Sequence, residues 1–123
     1  MILYKHEEYY KIIGLCMEVH KVLGCGLLEA VYKEALEIEF KNHGIPYERE
    51  KEFKIYYKET LLKKKFYADF VVYNDIILEV KATKVIIDEN IVQTLNYLAI
   101  TKYKLGIIVN FGPKSLQQKR LVL

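Results

Sequence analysis

The sequence is poor in the features that mark secreted, membrane-spanning or disulfide-stabilised proteins. It has two cysteines, Cys16 and Cys25, and neither stands at a metal-site spacing from a histidine. We therefore expect both to be reduced structural residues rather than a disulfide pair or metal ligands. The sequence also has no signal peptide and no apolar run long enough to cross a bilayer. These absences predict a cytoplasmic protein with no membrane partner.

The net charge of the chain is small as well. The formal net charge is only +3, which permits a nucleic-acid partner without requiring one. Hydrophobic residues make up 52% of the chain, so a disordered chain is not expected. A chain of 123 residues can bury one core but not two, and we expect a single domain over residues 1–123.

The most informative segment is residues 67–81, YADFVVYNDIILEVK, which is typical of two core strands around an Asn-Asp turn. Asp69, Glu79 and Lys81 interrupt its apolar runs. A charged side chain in a core strand must be paired, hydrated or metal-bound, because burying it alone costs several kcal/mol. Two other Glu-x-Lys triplets occur, but neither follows an apolar run with an aspartate on the preceding strand. The segment indicates a metal site, and the alternative is an edge hairpin whose charges face water.

This pattern resembles the signature of the PD-(D/E)XK nuclease superfamily, with Ala68 in the place of the usual proline before Asp69. Residues 26–32, GLLEAVY, resemble the motif that names the GxxExxY protein family. Residues 93–97, QTLNY, resemble the Q-x-x-x-Y motif of RecB-like and lambda-exonuclease-like nucleases. The motifs occur in family order over about residues 20–111. The resemblance implies a restriction-endonuclease-like core and a metal-dependent nuclease.

The resemblance also implies roles for the residues around the Glu-x-Lys triplet. Asp69 and Glu79 would bind Mg²⁺, or Mn²⁺ in its place, with the Val80 carbonyl as a third ligand, because Mg²⁺ prefers oxygen ligands. A water on the metal would attack the phosphodiester. Lys81 would position or deprotonate that water and stabilise the charge that develops on the phosphate.

Two helical motifs would complete this site. Glu29 would be an additional or water-mediated metal ligand, although a glutamate in the first turn of a helix is also favoured by the helix dipole. Gln93 would lie beside the metal, and Tyr97, one turn further on, would support it or contact phosphate. The alternative for Tyr97 is a core tyrosine. His20 could border the site or be a packed structural histidine.

Lysines around the Asp69 and Glu79 strands suit a polyanionic substrate. We expect DNA, with RNA as the alternative, and a homodimer or a partner protein supplying the rest of the footprint. Ordinary solubilising lysines are the competing interpretation. At the level of the whole chain, the alternatives to an enzyme are a nucleic-acid-binding or interaction module without turnover and a structural subunit of a larger assembly. The lysines predicted to bind substrate are Lys63, Lys64, Lys65 and Lys84.

Hydrophobic periodicity predicts an α/β fold in the order α-α-β-β-β-α-β-β, with a mixed sheet flanked by helices. The strand after the third helix should lie parallel to the Glu79 strand, because the helix serves as a crossover. The predicted helices span about residues 4–23, 27–43 and 88–101, and the predicted strands about 50–58, 65–73, 76–82, 105–111 and 117–122.

Side-chain parity makes a strict demand on this hairpin. Glu79 and Lys81 share a face of their strand because they are two residues apart. A two-residue turn at residues 74–75 would place Asp69 opposite Val80. Because directly opposed residues share a face, Asp69 would then point away from Glu79. A shared metal therefore requires an odd-length loop, a bulge, or a bend in the Asp69 strand.

Overall fold

The computed structural model describes residues 5–123 and has the predicted order of elements. The first predicted helix included residue 4, which lies outside the described residues. The α/β class and the mixed sheet flanked by helices are confirmed. The helices are α1 (His6–Leu23), α2 (Glu29–Asn42) and α3 (Asp88–Thr101), and the strands are β1 (Tyr47–Tyr57), β2 (Thr60–Val72), β3 (Ile76–Lys81), β4 (Leu105–Asn110) and β5 (Gln117–Val122).

The five strands form one sheet in the order β1-β2-β3-β4-β5. β3 and β4 are parallel, as predicted, and the other neighbouring pairs are antiparallel. A parallel pair needs a crossover connection, and α3 provides it. Among residues 5–123, no helix is long and apolar enough to cross a membrane.

The sheet separates two hydrophobic clusters. The larger one joins α1 and α2 to one face, where Ile12, Leu36 and Leu78 are fully buried. The smaller one joins α3 to the opposite face, with Leu98 and Ile77 at its centre. β3 and β4 are buried on both faces, which explains why both strands are almost continuously apolar in sequence.

β1 and β2 are longer than predicted and extend beyond the rest of the sheet. β1 pairs with β2 from Tyr47 to Tyr57, whereas β3 pairs with β2 only at Phe70–Val72. Residues 51–68 therefore form a two-stranded hairpin, here called the arm. The predicted start of the Asp69 strand, at about residue 65, is wrong, because β2 begins at Thr60 and contains Lys63, Lys64 and Lys65. Apolar periodicity did not reveal the added part of β2, because residues 60–65 are all exposed.

Candidate functional site

An odd-length loop brings the two predicted metal ligands together. Val72 pairs with Ile76, so the loop between β2 and β3 has three residues, 73–75. The same register continued along the strands places Asp69 opposite Glu79. Directly opposed residues of an antiparallel pair share a face. Parity allowed an odd-length loop, a bulge or a bend, and the structure has the odd-length loop.

The carboxylates of Asp69 and Glu79 interlock where their strands part. Paired residues extend only as far as Phe70 and Leu78. Beyond that point, the backbone N–H of Asp69 donates to Oε2 of Glu79 at 2.7 Å. The backbone N–H of Val80 donates to Oδ2 of Asp69 at 2.8 Å. Side-chain oxygens thus replace the next bonds of the ladder, and each carboxylate keeps one oxygen that these bonds do not use.

Glu79 is a buried carboxyl group in a cluster of charges. The residue is 3% exposed. Burial raises the pKa of Glu79 to about 8, and the charge of Asp69 adds to the shift, while the Asp69 N–H, Lys81 and Lys33 oppose it. Lys81 therefore lies close enough to act on Glu79 electrostatically, as its place two residues along β3 requires. A proton or a cation is needed here to compensate the charge of Glu79.

Lys33 is the contact that sequence reasoning missed. Its ammonium lies 2.8 Å from Oδ1 of Asp69 and 3.1 Å from Oε1 of Glu50. Burial acts to lower the pKa of Lys33, but the hydrogen bonds and charges of Asp69 and Glu50 together raise it above its ordinary value. One signal was available: Lys33 follows Tyr32 of the GLLEAVY motif and stands one helical turn after Glu29.

The GLLEAVY motif shapes the entry to α2. The Tyr32 hydroxyl donates to the Gly24 carbonyl at 2.7 Å and accepts from the Leu27 N–H at 3.1 Å. Its ring stacks on Phe111, with the ring centres 4.4 Å apart. Gly26 has a φ of 86°, a conformation that glycine adopts without strain. The motif glycine and tyrosine thus form the turn from which α2 begins.

Gln93 and Tyr97 lie together on α3, as their spacing predicts. Gln93 Nε2 donates to the Tyr97 hydroxyl at 2.8 Å. Burial raises the pKa of Tyr97, and the charges of Glu79 and Asp69 raise it further, so the phenol lies near both carboxylates. Tyr97 is also a core residue, since its ring stacks on Phe66 at 4.6 Å. The core interpretation of this tyrosine describes its position, while a contact with metal or phosphate stays a prediction.

The two remaining candidates, Glu29 and His20, lie on α2 and α1. Glu29 opens α2 and is half-buried. Within residues 5–123, no group of three or more His, Cys, Asp or Glu side chains could hold a metal, so Glu29 does not form a ready-made ligand set with Asp69 and Glu79. His20 contacts the Pro113 carbonyl at 2.9 Å and packs against Phe111, which agrees with a structural role.

The candidate lysines differ in their surroundings. Lys63 and Lys64 are exposed on the arm, and Lys84 is exposed after β3. Lys65 is paired with Glu52 at 3.1 Å on the outer face of the arm. Exposed surface pairs of this kind are weak, so Lys65 can exchange its partner for a phosphate at little cost.

The donor set suits a hard divalent cation. Two carboxylates are oriented by backbone N–H groups. Glu79 keeps Oε1 for a ligand bond, whereas Oδ1 of Asp69 contacts the Lys33 ammonium. The N–H and C=O of a residue in a strand point to the same edge, so the Val80 carbonyl faces the Asp69 side. In agreement, the carbonyl of the next residue, Lys81, accepts from the Phe111 N–H on the opposite edge. These are the oxygen ligands that Mg²⁺ takes.

The buried Glu79 predicts a pH-dependent stability in the presence of EDTA. Its pKa in the folded protein, about 8, lies above its ordinary value of 4.5, so the folded state binds more protons between these limits. The stabilisation is fully present below the ordinary pKa and is lost as pH rises through about 8. We expect the native protein to lose about 3 kcal/mol of unfolding free energy relative to Glu79→Gln between pH 5 and pH 8.5. Urea denaturation at several pH values measures it. A difference between the two proteins that does not change with pH would contradict the prediction.

Comparison with known proteins agrees with this geometry. Residues 6–121 match the family model of the PD-(D/E)XK nuclease superfamily, whose members are typically nucleases that use divalent metal ions. The crystal structure of SSO0001 is similar, with a TM-score of 0.61 and 20% identity, over 94% of this chain and 58% of that chain. At that identity the likeness concerns the fold alone. The family match agrees with the predicted restriction-endonuclease-like core. No curated protein matches the chain significantly.

Proposed function

Because the chain belongs to the PD-(D/E)XK nuclease superfamily, we propose that it is a Mg²⁺-dependent nuclease that hydrolyses phosphodiester bonds in DNA. The observation that carries the proposal is the interlocked pair of Asp69 and Glu79, one of which is buried and needs a positive charge beside it. On the evidence of residues 26–32, we further propose that it is a member of the GxxExxY group.

In this proposal, Asp69 and Glu79 hold the cation through their remaining oxygens, and the Val80 carbonyl contributes a third ligand. The bound cation supplies a water of lowered pKa and offsets charge on the phosphate. Lys81 lies on the same face of β3 as Glu79 and positions the attacking water or takes its proton. Gln93, held by Tyr97 at 2.8 Å, orients water or phosphate from the α3 side.

Glu29 would act through a bridging water. It stands one helical turn from Lys33, which contacts Asp69, so α2 carries both residues on the face that meets the site. A glutamate on this helix face can bind a water that is shared with the cation, because Mg²⁺ usually keeps several waters.

Cleavage assays with a metal titration test the proposal. Purified protein is incubated with double-stranded DNA, single-stranded DNA and RNA in Mg²⁺, in Mn²⁺ and in EDTA. We expect cleavage of DNA that requires the divalent cation. Binding of nucleic acid in EDTA without cleavage under any condition would favour a binding module on the same fold. Neither binding nor cleavage would favour a structural subunit.

The arm is the proposed route for the phosphate backbone. Lys63 and Lys64 are exposed along it, and Tyr56 and Tyr57 at its tip expose 61% and 63% of their surface. Lysines bind phosphates, and exposed aromatic rings stack on bases. Lys84 would extend this basic surface beyond β3. A small chain offers little surface to enclose a duplex, so a homodimer or partner protein would complete the footprint.

Binding should therefore weaken steeply with salt, with a log–log slope of about −0.7 to −0.9 for each phosphate contacted. We expect replacement of Lys63, Lys64 and Lys65 by glutamine to make this slope shallower and to leave cation affinity unchanged. Fluorescence anisotropy in EDTA over a salt series measures the slope. The matched control replaces three exposed helix lysines, Lys11, Lys21 and Lys41. An equal change in the two triple variants would remove the arm from the substrate path.

A further inference from the structure

Lys33 bridges two carboxylates that face each other across β1 and β2. Its ammonium is 2.8 Å from Asp69 Oδ1 and 3.1 Å from Glu50 Oε1. The side chains of Lys33 and Asp69 are each 13% exposed, whereas that of Glu50 is 49% exposed. The lysine thus has one partner in the interior of the site and one at its rim.

The backbone around Glu50 is unusual. Residues 49 and 51 pair with β2, and Glu50 lies between them, opposite Asp69. Its φ is 52°, in the left-handed region that residues other than glycine rarely adopt in a strand. Such departures cluster where a binding site or switch needs a side chain in a particular place. The chain therefore keeps a carboxylate next to Lys33 in a conformation that a regular strand would not produce.

Lys33 occupies the oxygen of Asp69 that a metal would need. Asp69 Oδ2 accepts from the Val80 N–H, which leaves Oδ1 as the oxygen of Asp69 for another ligand. The Lys33 ammonium is on this Oδ1. An ammonium and a divalent cation repel each other at such distances, so both cannot hold this oxygen in the same way.

We propose that Lys33 is a displaceable cation, which neutralises Asp69 in the metal-free protein and, when a divalent cation binds, leaves Asp69 and keeps Glu50 as its partner. The inference rests on the proposed function, because it takes the cation to be a ligand of Asp69. Glu50 lowers the cost of the exchange, since a half-buried ammonium would otherwise lose its partner. The exchange keeps the site compensated in both states and makes cation binding weaker than the carboxylates alone would allow.

Isothermal titration with Ca²⁺ and with Mg²⁺, without nucleic acid, tests the exchange. We expect Lys33→Gln to bind the cation about tenfold more tightly than the native protein, because the competing ammonium is gone. The matched control is Lys51→Gln, which makes the same charge change at a lysine paired with Glu48 at 2.7 Å. Its affinity should stay within about twofold of native, because an exposed charge acts weakly through water.

Glu50→Gln should have the opposite effect. Without the rim carboxylate, Lys33 stays on Asp69, and we expect cation affinity to fall about fivefold. Glu48→Gln controls for the loss of one negative charge from the same strand. In the Lys33→Gln background, the Glu50 substitution should have little effect on cation affinity, because no ammonium is left for Glu50 to bind. This double-mutant cycle separates an acceptor from a general contribution to the electric field.

Thermal unfolding gives an independent readout. Lys33→Gln leaves Asp69 without its cationic partner, so we expect a lower Tm than native in EDTA. Saturating Ca²⁺ should raise the Tm of this variant more than that of the native protein, because tighter binding to the folded state stabilises more. If Lys33→Gln does not fold, the difference between Glu50→Gln and Glu48→Gln decides the question.

The outcomes separate the exchange from the nuclease proposal. Cation binding by the native protein that Lys33→Gln leaves unchanged or weakens would overturn the exchange and leave the metal site standing. In the same way, equal affinities for Glu50→Gln and Glu48→Gln would exclude Glu50 as the acceptor. Absence of cation binding in the native protein and in every variant would overturn both proposals. Binding that appears only in Lys33→Gln would show that Lys33 blocks the site without being displaced, and would also overturn the exchange.

Discussion

Asp69→Asn and Glu79→Gln should each lower metal-dependent cleavage of DNA by about 10³-fold or more, the scale of losing a principal electrostatic stabiliser. Each substitution removes one of two carboxylates that would hold the cation, and no third carboxylate among residues 5–123 joins them in a ligand group. Both side chains keep an oxygen for the bonds from Val80 and Asp69, so the strands should stay together. Initial rates at saturating Mg²⁺ measure the effect.

A second Glu-x-Lys triplet in the same chain supplies the control. Glu52 and Lys54 repeat the spacing of Glu79 and Lys81, but they lie on the exposed face of the arm. Glu52→Gln should leave the cleavage rate unchanged within about twofold, because exposed pairs contribute little. Native rates for Asp69→Asn, with the cation still bound, would refute the proposed site. Circular dichroism and gel filtration show whether each variant is folded.

Gly112→Ala should destabilise the fold by about 3 kcal/mol or more, because a methyl group there has no space. A Cβ on Gly112 would lie 1.9 Å from the Thr83 carbonyl oxygen and 2.7 Å from the Thr83 nitrogen. Both are backbone atoms, so no side-chain rotation relieves the clash. The buried Asn110 side chain ties the two segments together by accepting from the N–H groups of Thr83 and Gly112. Urea denaturation measures the loss.

Gly14→Ala is the matched control for this prediction. Gly14 lies in α1, is exposed, and has nothing within 4 Å of an added Cβ. Alanine should stabilise the helix there by about 0.5–1 kcal/mol. Residues 82–84, which Gly112 contacts, directly follow Lys81. We therefore also expect Gly112→Ala to lower the cleavage rate by more than the loss of folded protein accounts for. Native stability for Gly112→Ala would show that residues 82–84 can move away freely.

The fold could be predicted because its local signals agree with its tertiary structure. The apolar runs of β3 and β4 are buried on both faces, and α3 between them has helical periodicity. The arm was the exception. Its outer part, residues 56–65, is exposed and has no buried stripe, and pairing between β1 and β2 holds it in register instead. Strand pairing of that kind depends on a partner and cannot be read from one segment.

Part of the site also followed from the sequence alone. The charges of Asp69 and Glu79 stood out because they interrupt apolar strands. Parity then required an odd-length loop, a bulge or a bend, and the structure has the odd-length loop. Gln93 and Tyr97 were expected together because residues four apart meet on one helix face, and they are hydrogen bonded. These inferences use only the periods of helices and strands, which are local properties of the chain.

Only the tertiary structure decided what compensates the buried charges. Lys33 and Asp69 are far apart in sequence, and they meet because α2 packs against the sheet on that side. Glu50 joins them through a left-handed backbone conformation that its sequence does not indicate. The depth of Glu79, and hence its raised pKa, likewise depends on the surrounding layers. The sequence by itself determined the order of elements and the carboxylate pair, while packing determined the cation beside them, because electrostatic partners are chosen by distance in space.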